Sequence, residues 1–201
     1  MVRVAMPYPV TFDVDRPPVF RRVHVVLRLA LLVVISWIGH PFGLLWLGLP
    51  VFAAIRVSHK GGQRYVEEDG PKVTGVLRWI VAVAAYLALL TDGLPGGVQA
   101  PVRFEVERSG SPTVGSALLR ALYAIPSLIV LAFLGFVGAI VWVVAVVLVL
   151  VNERYPESLW RFLHGIVRWE ACLFAYLGSL VDRYPPFRLD RGPTSPASQS
   201  S

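Results

Sequence analysis

Residues 75–92 (GVLRWIVAVAAYLALLTD) return 90 positions later as residues 165–182 (GIVRWEACLFAYLGSLVD), with eight of the eighteen residues identical. A second pair of segments repeats in the same way, since residues 9–16 (PVTFDVDR) and residues 101–108 (PVRFEVER) share five of eight residues. Unrelated segments would agree at roughly one position in fifteen, and self-similarity at a fixed period is typical of duplicated structural units. The sequence therefore predicts a tandem duplication.

The composition is that of a membrane protein. Apolar residues make up 55% of the chain and charged residues only 16%. No charged residue occurs in residues 29–55 or 121–152, where one charge would cost about 2.5–3.5 kcal/mol on insertion into a bilayer. The net charge of +6 could indicate nucleic-acid binding, but the arginines stand beside apolar runs, so membrane anchoring explains them better. We therefore predict an integral membrane protein that does not bind nucleic acid.

Each predicted unit opens with a short strand. Residues 9–15 and 101–107 alternate apolar with polar or charged side chains, which is the period-two pattern of a half-buried strand. A single strand cannot satisfy its own backbone, so the two strands are expected to pair if both lie on one side of the membrane. We place the first unit at residues 1–97 and the second at residues 98–190. The small, polar tail after them, residues 191–201, is predicted to be disordered.

After each strand, the pattern predicts a transmembrane helical hairpin. The four predicted segments are residues 20–38, 41–57, 115–133 and 135–152. In the first unit Gly39-His40-Pro41 breaks the helix, and in the second unit the bend is expected near Gly135 and Gly138. Each segment is about 26–29 Å long at 1.5 Å per residue, just enough to cross the hydrocarbon core. No cleavage site of small residues follows the first segment, so it is expected to remain as a signal anchor.

The third helix of each unit, residues 73–92 and 160–182, decides the number of crossings. If these helices cross as well, the six-span form divides the 19 Lys and Arg residues into 13 inside and 6 outside. If they lie in the interface, all 19 fall on one face, which the positive-inside rule favours. The expected fold is thus an all-α integral membrane protein with four transmembrane helices, and the six-span form is the alternative.

Arg28 and Arg120 occupy equivalent positions, each part-way into the first apolar helix of its unit. An ionisable group in a membrane segment is a functional candidate by default, here for an acidic lipid headgroup or an anionic substrate. In the simpler interpretation, which we favour, the side chain extends along the lipid until its guanidinium reaches water at the cytoplasmic interface.

Further polar and aromatic residues recur in or after the third helices, and they are candidates for binding lipids or partners or for bracing the fold. The set is Arg78, Trp79, Asp92, Arg154, Tyr155, Arg168, Trp169, Tyr176, Asp182 and Tyr184. We favour bracing, in which arginines pair with acidic residues near the strands. The candidate acidic partners are Asp13, Asp15, Glu105 and Glu107. Pro185 and Pro186 end the last helix, and Tyr184 and Phe187 beside them suit a membrane interface.

Signatures of chemistry are absent from the sequence. The four histidines have no metal-ligand spacing, and the single cysteine, Cys172, lies in an apolar segment. No phosphate-binding glycine loop, nucleophile elbow or paired intramembrane carboxylates occur. The sequence predicts no catalytic residue, metal or cofactor.

Several of these motifs together resemble a known family. They are PVRFEVER at 101–108, ERYP at 153–156, GIVRW at 165–169, AYL at 175–177 and DRYPPF at 182–187. This combination is similar to a family of bacterial membrane proteins catalogued as domain of unknown function 4389, and it is nearly complete over residues 101–190. The first unit departs from the pattern, with Val66 where Pro156 stands. The resemblance implies a bacterial membrane protein and supplies no catalytic residue or cofactor.

We therefore expect a non-enzymatic polytopic protein of the bacterial inner membrane with both termini in the cytoplasm. It would act as an accessory or scaffold subunit of a membrane or envelope-lipid system, in contact with lipids, including anionic headgroups, and with other membrane proteins. The alternative is a small repeat-built transporter for an anionic or lipid-like substrate, with three spans per unit and inverted halves. A membrane enzyme ranks third.

Overall fold

Helices form most of the chain in the computed structural model, which describes residues 8–17, 20–38, 41–95, 102–153 and 155–189. The elements are β1 (Val10–Val14), α1 (Arg22–Ile38), α2 (Pro41–Lys60), α3 (Gly62–Arg64), α4 (Gly70–Leu87), β2 (Val102–Val106), α5 (Val114–Tyr123), α6 (Ile125–Asn152) and α7 (Glu157–Leu177). One turn of π-helix, Tyr65–Asp69, joins α3 to α4. The predicted disordered tail lies outside the described residues.

The two predicted strands pair with each other as an antiparallel ribbon. Phe12 lies opposite Phe104, and Val10 lies opposite Val106. The apolar side chains of both strands are buried, whereas the alternate polar positions are half-buried in β1 and exposed in β2. Arg103 of β2 reaches across to Asp15, just after β1, at 3.0 Å between Nη2 and Oδ1. The ribbon therefore has one apolar face inward and one charged face outward.

Helices α4 and α7 form the layer under the ribbon. β1 packs on α7, β2 packs on α4, and the two helices pack on each other. On its other side α7 contacts α2, α5 and α6, and 15 of its 21 residues are buried. The surroundings of α7 are therefore mostly protein, and the interfacial position of the third helices stays a prediction.

The outermost layer consists of α1, α2, α5 and α6, and its outer surface is apolar. Helix α6 buries only six of its 28 residues. Large side chains such as Leu44, Leu47, Phe133 and Phe136 are exposed, the last with 69% of its surface. Folding alone does not bury these side chains, so this face needs an apolar environment.

The predicted hairpin of the second unit is not found. Helix α6 continues through Gly135 and Gly138 without a break, and the helix is interrupted instead at Ala124, between α5 and α6. Pro126, in the first turn of α6, lacks an N–H and breaks the backbone ladder there, whereas a glycine inside a helix costs only about 1 kcal/mol relative to alanine. The two halves of the outer layer pack crosswise, α1 on α6 and α2 on α5.

Among the described residues, the structure contains one helical run that is long and apolar enough to cross a membrane, Val114–Asn152, with 39 residues. Of its most apolar stretch only 22% is buried inside the protein, unlike the core helix of a soluble protein. A membrane association rests on this run, and the four crossings predicted from the sequence stay a prediction.

Gly165 lets the C-terminal segment return over α7. A Cβ at this position would lie 2.5 Å from the backbone oxygen of Leu189. We expect Gly165→Ala to displace that segment and to lower the free energy of unfolding by about 1–3 kcal/mol. Thermal melting in detergent, together with proteolysis of the segment, measures the effect. Gly135→Ala is the matched control, because no atom lies within 4 Å of the added Cβ and alanine favours the helix. Equal melting of the two variants would contradict the expected clash.

Candidate functional site

The C-terminal ends of α4 and α7 have the same unusual conformation. Leu89 follows α4 with a φ of 60°, and Ser179 follows α7 with a φ of 56°. The next N–H in each case bonds back to a carbonyl five residues earlier, at 2.9 Å for Leu90 and 3.1 Å for Leu180. This is the Schellman ending, usually made by glycine. It turns the last carbonyls of each helix toward one point, and a buried arginine lies at that point.

The Arg28 cluster comprises Arg28, Tyr86, Thr91 and Asp92. The Nε of Arg28 donates to the carbonyl of Tyr86 at 2.7 Å, and its Nη2 donates to the carbonyl of Thr91 at 2.5 Å and to Oδ1 of Asp92 at 2.8 Å. The guanidinium carbon lies 4.5 Å from the centre of the Tyr86 ring. Asp92 also accepts from the backbone N–H of Arg21 at 2.8 Å, just before α1. The cluster thus ties the start of α1 to the end of α4.

The Arg120 cluster comprises Arg120, Tyr176, Val181 and Asp182, and it has the same plan. The Nη1 of Arg120 donates to the carbonyls of Tyr176 and Val181, and Nη2 donates to the Asp182 carboxylate. The guanidinium lies 4.9 Å from the Tyr176 ring centre. Asp182 also accepts from the N–H of Ser111 at 2.9 Å and from its hydroxyl at 3.0 Å. Burial would raise the pKa of Asp182, but the hydrogen bonds from Ser111 and Arg120 hold it below its usual range.

From the sequence we expected the two arginines to extend to water at the cytoplasmic interface. In the structure they do not. Arg28 has 0% of its surface exposed and Arg120 has 5%. Carbonyls at a helix C-terminus carry partial negative charge and attract a cation, and the adjacent carboxylate completes the neutralisation. A phosphate headgroup would have to displace that carboxylate. The geometry of both clusters is therefore that of a closed internal contact between helices.

The repeated Arg-Trp pairs differ between the halves. Arg78 of α4 donates from Nε to the carbonyl of Phe104 in β2 at 3.2 Å, which is a strand carbonyl instead of the expected carboxylate. Trp79 has 59% of its surface exposed, whereas Trp169 has 4% and packs edge-on against Phe187. Only the first tryptophan is placed to contact a membrane or partner, since α7 lies deeper in the protein than α4.

The remaining predicted residues lie at helix ends. Tyr155 is buried, packs edge-on against Phe20 at 5.2 Å between ring centres, and accepts a hydrogen bond from Arg16 at its carbonyl. Tyr184 shares a hydrogen bond of 2.5 Å with Ser127 and packs on the Tyr176 ring. Tyr184 therefore contacts protein instead of standing alone as an interface anchor.

Arg168 is also buried, with 6% of its surface exposed. Arg154 lies outside the described residues, so nothing is added to its sequence-based role.

Three contacts between the halves were not predicted. The Tyr65 hydroxyl donates to the carbonyl of Gly178 at 2.6 Å, across the end of α7. The indole N–H groups of Trp142 and Trp160 donate to carbonyls at the end of α4, at 2.8 and 3.0 Å. Each half thus caps the third helix of the other. No sequence pattern marks such pairs, because their members are 55 to 113 residues apart.

Glu170 was also missed, although the sequence carries a signal for it as a carboxylate within the apolar α7. It lies between two apolar cavities of about 350 and 310 Å³. Among the described residues, no group of histidine, cysteine, aspartate and glutamate side chains could hold a metal ion.

Comparison with known proteins identifies the second half of the chain. Residues 115–188 match the model of a family described as Domain of unknown function (DUF4389). No curated protein and no solved structure matches the chain. The matched segment contains Arg120, Asp182 and Tyr184, so the resemblance predicted from the motifs is confirmed there. The first half lies outside the match, and the tandem duplication stays a prediction. The segment from α5 to the residues after α7 is thus similar to the family described as Domain of unknown function (DUF4389).

Proposed function

We propose that this chain is a non-enzymatic protein of the bacterial inner membrane that serves as an accessory or scaffold subunit for another membrane system. Its outer layer (α1, α2, α5 and α6) lies in lipid. Its ribbon faces the cytoplasm and meets the partner. Both termini lie on the cytoplasmic side.

One observation carries the proposal, namely the separation of the surface into an apolar layer and a charged ribbon. Phe133 and Phe136 stand exposed on the outer layer, whereas Asp15, Arg103 and Glu105 stand exposed beyond α4 and α7. A bilayer satisfies the first surface, and water and a polar partner satisfy the second.

The same separation disfavours the transporter with inverted halves. The run of 39 residues extends about 58 Å, and α6 packs along α7, under the ribbon. If this run crossed the membrane once, the ribbon beside it would enter lipid, at about 2.5–3.5 kcal/mol for each unpaired charge. Insertion from one side keeps all these charges in water.

The two arginine clusters support a structural role, because each uses its charged groups on partners within the chain. They also support the proposed duplication, since an arginine, a tyrosine and an aspartate recur with the same contacts. Because the clusters fix the C-terminal ends of α4 and α7, the ribbon that packs on these two helices is held in one orientation.

The test is purification of the tagged protein in mild detergent at native expression level. We expect it to stay in membranes after alkaline carbonate extraction and to carry a stoichiometric partner. Glu105→Lys on the ribbon should lose most of the partner but remain in the membrane. Glu157→Lys, an exposed carboxylate at the start of α7, is the control and should keep it. A solitary protein that drives substrate flux in liposomes would refute the proposal and favour the transporter.

A further inference from the structure

Glu170 sits midway along α7, on the side that faces the outer layer. The first cavity beside it is lined by residues that include Leu32, Gly135 and Trp142, and the second by residues that include Gly43 and Phe174. Among the described residues, Glu170 is the one that lines both, and the others that line either cavity are apolar, glycine or tryptophan. The carboxyl group therefore stands between two apolar spaces.

The carboxyl group of Glu170 has no ion-pair or hydrogen-bond partner among the described residues. No described cation or hydrogen-bond donor reaches it. The other acidic groups in or near the helix layers are compensated, for example Asp69 by Arg56 at 2.8 Å and Asp92 by Arg28 at 2.8 Å. A carboxylate in apolar surroundings is costly unless a cation or donor meets it. Its position thus leaves one charge for a ligand to complement.

The space beside the carboxyl is created by small residues. A Cβ added at Gly43 or Gly135 would meet no atom within 4 Å, and Ala132 and Ala139 complete the walls. Each cavity lies at the lower end of the size range of small-molecule sites, which begins at about 300 Å³. An aliphatic chain fits such walls, and no described arginine or lysine lines them to bind a phosphate group.

We propose that this cleft binds a hydrophobic primary amine, with the ammonium group on the Glu170 carboxylate and the hydrocarbon chain in the flanking cavities. One acidic group within apolar walls complements one cationic group on an apolar body. The inference does not depend on the scaffold role, because it concerns the cleft beside Glu170 and not the ribbon.

The test compares the binding of dodecylamine and dodecanol, which have the same chain length and differ in charge. Purified protein in a non-ionic detergent is titrated with each, and binding is followed by thermal stabilisation and native mass spectrometry. We expect the amine to stabilise the wild type more than the alcohol does. Glu170→Gln keeps the shape but removes the charge, and it should weaken amine binding about tenfold or more while leaving the alcohol unchanged.

Two further variants separate the cleft from general effects. Glu157→Gln removes an exposed carboxylate from the same helix and should bind the amine like the wild type. Gly135→Leu keeps Glu170 but fills the first cavity, so it should weaken amine binding as well. Equal responses to amine and alcohol, or unchanged amine binding in Glu170→Gln, would overturn the proposal and indicate simple partition into micelles. Neither outcome would affect the scaffold proposal, which is tested on the ribbon.

Discussion

Replacement of Arg28 by methionine is expected to lower the free energy of unfolding by about 3–5 kcal/mol, the range for removal of one partner of a buried ion pair. Methionine fills much of the volume but leaves the carbonyls of Tyr86 and Thr91 without their donor and Asp92 without its cation. The end of α4 would then lose its link to α1. Thermal melting in detergent, or size-exclusion chromatography after a heat step, measures the loss.

Arg22→Met is the matched control on the same helix. Arg22 pairs with Glu153 at 3.1 Å, but both side chains are about half exposed, at 54% and 49%. Exposed pairs contribute about 0–1 kcal/mol, so this variant should melt close to the wild type. Arg120→Met should reproduce the large loss, because its cluster has the same contacts. Equal melting of the Arg28 and Arg22 variants would show that the buried cluster does not hold the helices together.

Labelling of single cysteines is expected to place residues 58 and 158 on the same, cytoplasmic side of the membrane. Both serines are exposed, one near the end of α2 and the other at the start of α7. Ser58→Cys and Ser158→Cys are introduced after Cys172→Ala, which removes the buried native thiol. A membrane-impermeant maleimide should label both in inside-out vesicles and neither in intact spheroplasts, an all-or-none difference.

Leu47→Cys controls for burial in lipid. Leu47 is exposed on the outer layer of the protein, so the impermeant reagent should label this variant only after detergent is added. Labelling of residues 58 and 158 from opposite sides would contradict one-sided insertion and support a run that crosses once, as the inverted transporter requires.

Local patterns were sufficient for the strands. A period of two set both β1 and β2 to within one residue at each end, because burial of one face fixes alternate side chains. The predicted hairpin of the second unit is wrong because glycine alone does not end a helix. In the structure Gly138 instead admits α7, since a Cβ there would lie 3.1 Å from Ile166 Cδ1. The helix is interrupted just before Pro126, where a backbone donor is missing.

The sequence offered candidate arginines and acidic residues but did not show which of them pair. Arg28 and Asp92 stand 64 positions apart, and Arg120 and Asp182 stand 62 apart. Both pairs recur in the sequence, yet recurrence does not state which arginine meets which acid. Only the packing of α1 on α4 and of α5 on α7 brings each arginine to the end of the helix that it closes.

The apolar runs, the strand alternation and the motifs that resemble the DUF4389 family could be recognised from the sequence, because each depends on composition and short-range spacing. The tertiary structure alone decided that α7 is a buried helix, that the arginines close helix ends and that Glu170 faces two cavities. The physical reason is that burial and charge neutralisation depend on which surfaces meet, and residues far apart in the chain supply those surfaces.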